Sequence, residues 1–350
     1  MRVGLGTTRF PKKNRNGAVG LFRFAIDSGM NYIDASRSYW DIELLLKKVL
    51  KDGYREKVIL SSKWSPWMMK KEEPTEFYMR KNIEESLKRL DVDYLDYYQI
   101  WHLSSREQFR SVTKKGGMVD GLLKAKDEGL IKEIGYTTHD TLENAIKSIK
   151  EAEWASMVTF SYNLLNQEFE EALRIAKELG KTTVVMNPLG GGSFLRDNSF
   201  LKNLSDEMGT ESVADLAIKF LTSNENIDMI LSGIAKESDV INTMNSINGE
   251  LLNDVQMEAT YSFINDSKKF DSFCTSCGYC LPCPARIDIP AIMQSIFLEK
   301  FNGDRKESIE NYSKIDGYKG DACIECGECE ANCTQDLDII RGMRYVDENY

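Results

Sequence analysis

Cysteine is missing from most of this chain. Nothing before Cys274 is a cysteine, and all eight in the 350 residues fall between Cys274 and Cys333. A secreted, disulfide-stapled protein spreads its cysteines through the core and starts with a cleavable signal. Here the bulk is cysteine-free and no signal precedes Met1–Arg2, so a disulfide framework is set aside. No uninterrupted apolar run approaches the ~18 residues of a membrane-spanning helix, so no membrane association is expected. Excess positive charge is absent too: the net charge is −10 and the pI near 5.1. Nothing would neutralise phosphates over a broad face, which argues against a nucleic-acid partner. Low-complexity segments and long blocks of like charge do not occur. No G-x-G-x-x-G opens the first helical stretch, and no flavin-phosphate motif is evident.

What the chain does have is concentrated in its last quarter. Cys274, Cys277, Cys280 and Cys283 come at steps of three in CTSCGYCLPCP, and Cys323, Cys326, Cys329 and Cys333 stand in CIECGECEANC. A thiolate triplet at steps of three wraps one face of a cuboidal iron–sulfur cluster. The fourth ligand comes from further along, and in two-cluster ferredoxins it belongs to the other cluster. The expectation is therefore two [4Fe–4S] clusters. One takes Cys274, Cys277 and Cys280 with Cys333; the other takes Cys323, Cys326 and Cys329 with Cys283. Two structural zinc sites are the competing reading, but they want paired C-x2-C knuckles separated by longer loops. An acidic chain with oxygen-sensitive thiolate clusters suits the cytoplasm of an anaerobic or micro-aerobic organism.

From Arg2 to about Asn248 short apolar runs alternate with longer amphipathic ones. Strands are predicted at 2–6, 30–34, 57–62, 94–101, 131–136, 156–161, 182–187 and 227–233, with helical stretches between them. Eight such pairs in this length are the signature of an α/β fold of the (β/α)8 TIM-barrel type. A doubly wound open sheet is the alternative, and it lacks its glycine fingerprint. The barrel is expected to span residues 1–252. Residues 253–350 then form a small, mainly helical, ferredoxin-like domain: a crossing helix, the first cysteine set, an amphipathic helix, a polar stretch to Lys319, the second cysteine set and a closing helix.

Barrel chemistry sits where strands end. Asp34 ends the second strand, and Tyr39 follows in DASRSY. Lys63 closes the third, and His102 follows the fourth. Singly, each has a bland explanation: Asp34 as a helix N-cap, Tyr39 as rim packing, Lys63 as a solvated charge. Gathered at consecutive strand ends they make a catalytic candidate. A tyrosine titrates near pH 10 and is a poor acid at neutrality. An adjacent ammonium favours its ionised form and a carboxylate holds that ammonium in place, so the tyrosine can protonate a carbonyl oxygen.

These motifs (D-x4-Y after strand two, S-S-K after strand three, YLDYYQIWH at strand four) resemble the aldo/keto reductases. With the cysteine sets included, nearly the whole chain resembles the subgroup with a C-terminal two-cluster ferredoxin-like domain. The resemblance implies that Asp34, Tyr39, Lys63 and a histidine form a tetrad reducing aldehydes or ketones with a nicotinamide cofactor. In the family's usual D-x-Y-x-x-H strand the histidine comes five after the aspartate. Five from Asp96 is Trp101, and His102 stands one step late. Strand neighbours face opposite sides, so the shift turns His102 from the barrel mouth unless a β-bulge or the start of the loop restores it. His139, the chain's other histidine, follows strand five and is a second candidate for that imidazole.

On the cofactor side the family offers Ser–Asn after strand five, Gln at strand six and a stacking Tyr after strand seven. The matching places hold Thr137–Thr138, Thr159 and Met186. Gly190–Gly192 and the segment from Gly233 to Lys236 fit a phosphate cradle, with Lys236 as the cation for NADPH or NADH. A chain that begins almost at strand one also omits the family's N-terminal hairpin. The barrel floor is then expected to be exposed, or covered by the C-terminal domain or a second subunit. Three functions follow: a nicotinamide-dependent carbonyl reductase with clusters apart from turnover, a barrel fed single electrons by a ferredoxin-like redox partner, and an electron-transfer module without catalysis.

Overall fold

The computed structural model describes residues 3–8, 15–39, 41–69, 73–195, 199–267, 274–303, 305–333, 335 and 337–350. Eight parallel strands close into a barrel in chain order. They are β1 Val3–Gly6, β2 Tyr32–Asp34, β3 Ile59–Trp64, β4 Leu95–Leu103, β5 Ile131–Thr138, β6 Met157–Ser161, β7 Thr182–Met186 and β8 Met229–Ser232. Every strand expected from the alternation is present. β3, β4 and β5 continue past their apolar runs, to Trp64, Leu103 and Thr138, and so carry Lys63, His102 and Thr137–Thr138 within the strands.

The chain returns through α1 Arg15–Asp27, α2 Ile42–Val49, α3 Pro66–Met69, α4 Glu76–Leu90, α5 Arg106–Thr113, α6 Met118–Asp127, α7 Leu142–Glu151 and α8 Glu170–Glu178. After β7 come α9 Ser199–Glu207 and α10 Val213–Ser223, and α11 Glu237–Asn248 follows β8. Local chemistry sets the starts: Thr75, Ser105 and Thr141 each accept a backbone N–H from three residues on, capping α4, α5 and α7. Asp91 closes α4 in a left-handed conformation, φ 59°.

Inside the barrel an apolar layer of Tyr32, Met157, Val184, Met229 and Leu231 is joined by Ile59, Tyr97 and Met186. Gly4 gives the Tyr32 ring its room, since a Cβ there would lie 2.7 Å from Tyr32 Cδ1. One alternation further up each strand the interior turns polar: Asp34, Ser61, Gln99 and Thr159 are all buried.

The described chain divides into two compact units. The first holds the barrel strands. The second takes Asn163–Asn166, Leu189–Ala217 and Leu252–Tyr350. Within the second lie α12 Asp254–Ser267, α13 Ile289–Asn302, α14 Arg305–Ser313, α15 Glu328–Ala331 and α16 Ile339–Asn349. Its core is Ile287, Ile289, Ile292, Met293, Ile296, Tyr312, Leu337, Ile339, Met343 and Val346, and six of the cysteines pack on it. Asp288 caps α13, with Pro290 in the first turn, and Gly303 ends it at φ 70°. α14 lies in what reads as a polar stretch. It is held by the fully buried Ser308, whose hydroxyl donates to the Ser295 carbonyl, and by Tyr312, whose ring joins the core.

Candidate functional site

The loop after β2 is built to present Tyr39. Its backbone goes on pairing with β3 beyond the strand: Ala35 N–H donates to Ser61 O at 2.9 Å and Arg37 N–H to Lys63 O at 3.0 Å. Thr7 donates to Asp34 O at 2.8 Å, and Ser36 Oγ to Lys63 O at 3.2 Å. Tyr39 N–H closes a turn on Ser36 O at 3.1 Å. The result is a buried tyrosine, 7% exposed, on a pinned loop.

Asp34, Lys63 and Tyr39 come together. Lys63 Nζ donates to Asp34 Oδ2 and, at 3.1 Å, to the Ala35 carbonyl. It lies 4.9 Å from the centre of the Tyr39 ring. Burial pulls the Lys63 ammonium below its ordinary pKa, against the opposing pull of Asp34. Ground-state stability does not require this pair, since a buried ion pair is costly to form. The arrangement can hold a positive charge beside a phenol.

β4 carries the bulge that the histidine register called for. Its pairing with β5 shifts between Ile100 and Leu103, opposite Tyr136 and Thr138. Two residues, Trp101 and His102, thus face Thr137 alone, and His102 takes φ 68° with its N–H donating to Thr137 Oγ1 at 2.7 Å. Trp101 packs edge-to-face on Tyr39, centroids 5.3 Å apart. His102 turns toward the end of β5 and stacks on His139 at 4.5 Å. Both histidines are pulled below the usual imidazole pKa, each chiefly by burial, and His139 further by His102 and Lys63.

The cofactor candidates fall into separate surroundings. Thr137 and Thr138 are buried at the end of β5, and Met186 closes β7. Thr159 donates its hydroxyl to Gln99 Oε1 at 3.1 Å. Thr137 spends an oxygen lone pair on His102 and keeps its hydroxyl hydrogen for an acceptor, which suits a carboxamide oxygen. Lys236 is exposed at the start of α11, where the Asp239 carboxylate accepts from the Ala235 and Lys236 N–H groups at 2.9 and 3.1 Å. A phosphate at that helix start must displace this carboxylate. Gly190, Gly191 and Gly192 all take positive φ, in a 3-10 turn of the second unit. Such a run of left-handed residues is open to glycine at little cost.

In the second unit the cysteines surround two cavities. One is lined by Cys274, Cys277, Cys280 and Cys333, the other by Cys283, Cys323, Cys326 and Cys329; Cys280 lines both. None is in a disulfide. Among the described residues no trio of His, Cys, Asp or Glu stands close enough to hold a single metal ion. Sulfurs spread around a cavity suit a cluster whose irons stand between them. Burial pushes the Cys274 and Cys329 thiols up to about 11 and Cys280 to about 12. They become thiolates when a cation compensates the charge.

Sequence reasoning passed over Gln99 and the buried Glu43. The Glu43 carboxylate accepts from Ser62 at 2.8 Å and Arg89 at 2.9 Å behind β3. A glutamate in IELLLKKV gives no sign of this, but it occupies the apolar face of α2.

The model of the aldo/keto reductase family matches residues 2–264, and that of the 4Fe-4S dicluster domain matches residues 273–337. A probable aldo-keto reductase 1 of Glycine max is 26% identical over 241 residues, 66% of each chain, so this chain covers just under two thirds of that relative. Among solved structures, an aldo-keto reductase of Bacillus halodurans in its holo form superposes with a TM-score of 0.65 at 20% identity, over 75% of this chain and 91% of that one. One from Klebsiella pneumoniae, in complex with NADPH, gives 0.64 at 23%, over 75% and 90%. At such identities the likeness is one of fold. No described helix is long and apolar enough to cross a membrane. With the barrel matched throughout and the cysteine region matched beyond it, the chain belongs to the aldo/keto reductase family and carries a 4Fe–4S domain.

Proposed function

We propose that the barrel reduces an aldehyde or ketone with NADPH or NADH, using Tyr39 as general acid. The observation that carries this reading is the buried Lys63 ammonium, tied to Asp34 and lying over the Tyr39 ring at 4.9 Å. An ammonium beside a phenol favours the phenolate and so readies the hydroxyl to release its proton. When bound, the nicotinamide supplies the hydride that reduces the carbonyl carbon. Tyr39 gives its proton to the carbonyl oxygen, and carbonyl, hydride and proton together make the alcohol. Thr137, Thr138 and Met186 are the candidates to hold the nicotinamide, and Lys236 the phosphates. His102 and His139 are the candidates to polarise the substrate oxygen. In the second unit Cys274, Cys277, Cys280 and Cys333 hold one [4Fe–4S] cluster, and Cys283, Cys323, Cys326 and Cys329 a second.

The test is anaerobic consumption of NADPH or NADH with a panel of aldehydes and ketones, for the wild type and Tyr39→Phe. Reduction by the wild type, lost in Tyr39→Phe with nucleotide affinity kept, is the expected result. Equal rates in the two proteins would sink the general-acid role.

A second reading is favoured by Trp101 standing against Tyr39 where the family has an imidazole. In it, a ferredoxin-like partner delivers single electrons to the clusters and the barrel uses no nicotinamide. A nicotinamide gives two electrons at once and a cluster takes one, so direct exchange between them needs a converter. Quenching of tryptophan fluorescence by nucleotide, with the cluster absorbance unchanged, counts for the first reading. Absence of nucleotide binding counts for the second.

A further inference from the structure

Gln99 lies at the middle of β4 with its side chain fully buried inside the barrel. Its amide is completely committed. Nε2 donates to Asp34 Oδ1 at 3.1 Å and to Ser61 Oγ at 2.9 Å, and Oε1 accepts from Thr159 Oγ1 at 3.1 Å. One side chain therefore joins β2 and β3 on one side to β6 on the other. The orientation of the amide is set by chemistry: the reverse would aim its oxygen at a carboxylate.

The strand between makes this reach possible. Gly135 of β5 is the register partner of Gln99. A Cβ at Gly135 would lie 3.2 Å from Gln99 Cγ and 3.0 Å from Met157 Cε. Glycine there leaves the stem of Gln99 free to lie across β5.

What this does to Asp34 follows from the carboxylate's own softness. Rotation of an aspartate about its last torsion is broad. Here Oδ1 takes Gln99 while Oδ2 takes Lys63, so the carboxylate plane is set from both ends. Lys63 is in turn aimed by Asp34 and the Ala35 carbonyl toward the Tyr39 ring. We infer that Gln99 is a positioning residue: it fixes the Asp34 carboxylate, and through it the direction of Lys63 toward Tyr39, with Gly135 providing the space. The inference rests on the reading of Tyr39 as the general acid.

Gln99→Met keeps the length of the side chain and loses its donors. In the cluster-loaded protein it lowers kcat about tenfold or more, while the carbonyl KM and the NADPH Kd stay within about twofold. The alkaline limb of the kcat profile, where Tyr39 loses its proton, moves to higher pH, because an ammonium less well aimed at the phenol favours the phenolate less. Thr159→Val, which frees the amide oxygen and preserves shape, moves both quantities the same way by less, and stands in if Gln99→Met fails to fold. Wild-type kcat and an unshifted profile in a folded Gln99→Met overturn the inference, as does a loss confined to KM. If the wild type reduces no carbonyl with either nucleotide, it is the Tyr39 reading that fails. Crystal structures of wild type and Gln99→Met then decide the positioning claim alone: an Asp34 carboxylate turned away from Lys63 supports it, and one that has not moved overturns it.

Discussion

The imidazole of His102 lies stacked on that of His139, centroids 4.5 Å apart and planes 22° from parallel. Among the described residues none of the four ring nitrogens has a hydrogen-bond partner, and all four are buried. Two neutral rings can share such a place; two imidazolium ions cannot, with Lys63 acting on His139 as well.

The pair therefore ties stability to pH. Both folded pKa values lie below the unfolded value of about 6.5, so the native state binds fewer protons than the unfolded one. The stabilisation is complete above that pH and is lost as pH falls through it. Each excluded proton steepens the loss by up to about 1.4 kcal/mol per pH unit. Denaturant melts between pH 7.5 and 5.5 should show His139→Leu losing less stability on acidification than the wild type, with cluster absorbance followed in parallel. Parallel curves would show that the stack carries no such linkage.

Asp34 and Lys63 offer a separate test. Lys63→Met leaves a buried carboxylate without its partner and should cost about 3–5 kcal/mol. Asp34→Asn should weaken the protein for the converse reason. The double variant Asp34→Asn/Lys63→Met removes both charges and should cost clearly less than the sum of the singles. Urea unfolding of the three reads this directly, and simple additivity would mean the ion pair is not coupled in the folded state.

The barrel was legible because eight apolar runs alternate with amphipathic ones, and each strand lies where its run lies. Asp34, Tyr39 and Lys63 could be singled out because position at a strand end is itself a signal. The histidine could not be placed. A one-residue bulge leaves no trace in hydrophobic periodicity, and only in the folded strand does His102 take φ 68° beside Thr137. Gln99 was hidden for a different reason. A polar residue in a strand reads as solvent-facing, yet here it faces a barrel interior whose polar layer is assembled from four strands. α14 escaped because one buried serine and one tyrosine, too few to make an apolar stripe, hold it.

Cavity membership predicts which cysteines fail together. Cys333→Ala should disturb the same cluster as Cys274→Ala, and Cys283→Ala the same cluster as Cys323→Ala. Iron analysis and electron paramagnetic resonance of reduced protein distinguish the cases. A double variant within one set, Cys283→Ala/Cys323→Ala, should lose about four irons of about eight, while Cys274→Ala/Cys323→Ala should lose nearly all. Loss of both clusters from Cys283→Ala/Cys323→Ala, with the fold intact, would refute the grouping.

The approach of α16 to the second cysteine loop predicts where that loop is most easily broken. Gly320 opens the 3-10 turn Gly320–Ala322 that leads into Cys323, and its N–H donates to the Tyr312 hydroxyl at 3.2 Å. A Cβ there would lie 2.5 Å from the Met343 carbonyl oxygen and 2.6 Å from Val346 Cγ2. The first of these is backbone inside a helix and cannot swing aside, so the turn itself must move and take Cys323 with it. Gly320→Ala should then destabilise the second unit by about 1–3 kcal/mol. It should also bleach faster in air than the wild type, beginning with the cluster ligated by Cys323. Gly20→Ala is the control: among the described residues outside its own turn nothing lies within 4 Å of its added carbon, and a helix interior prefers alanine to glycine by about 1 kcal/mol. That variant should melt at or above the wild-type temperature and bleach at the wild-type rate. If Gly320→Ala bleaches no faster than Gly20→Ala, the turn is not what holds Cys323 in place.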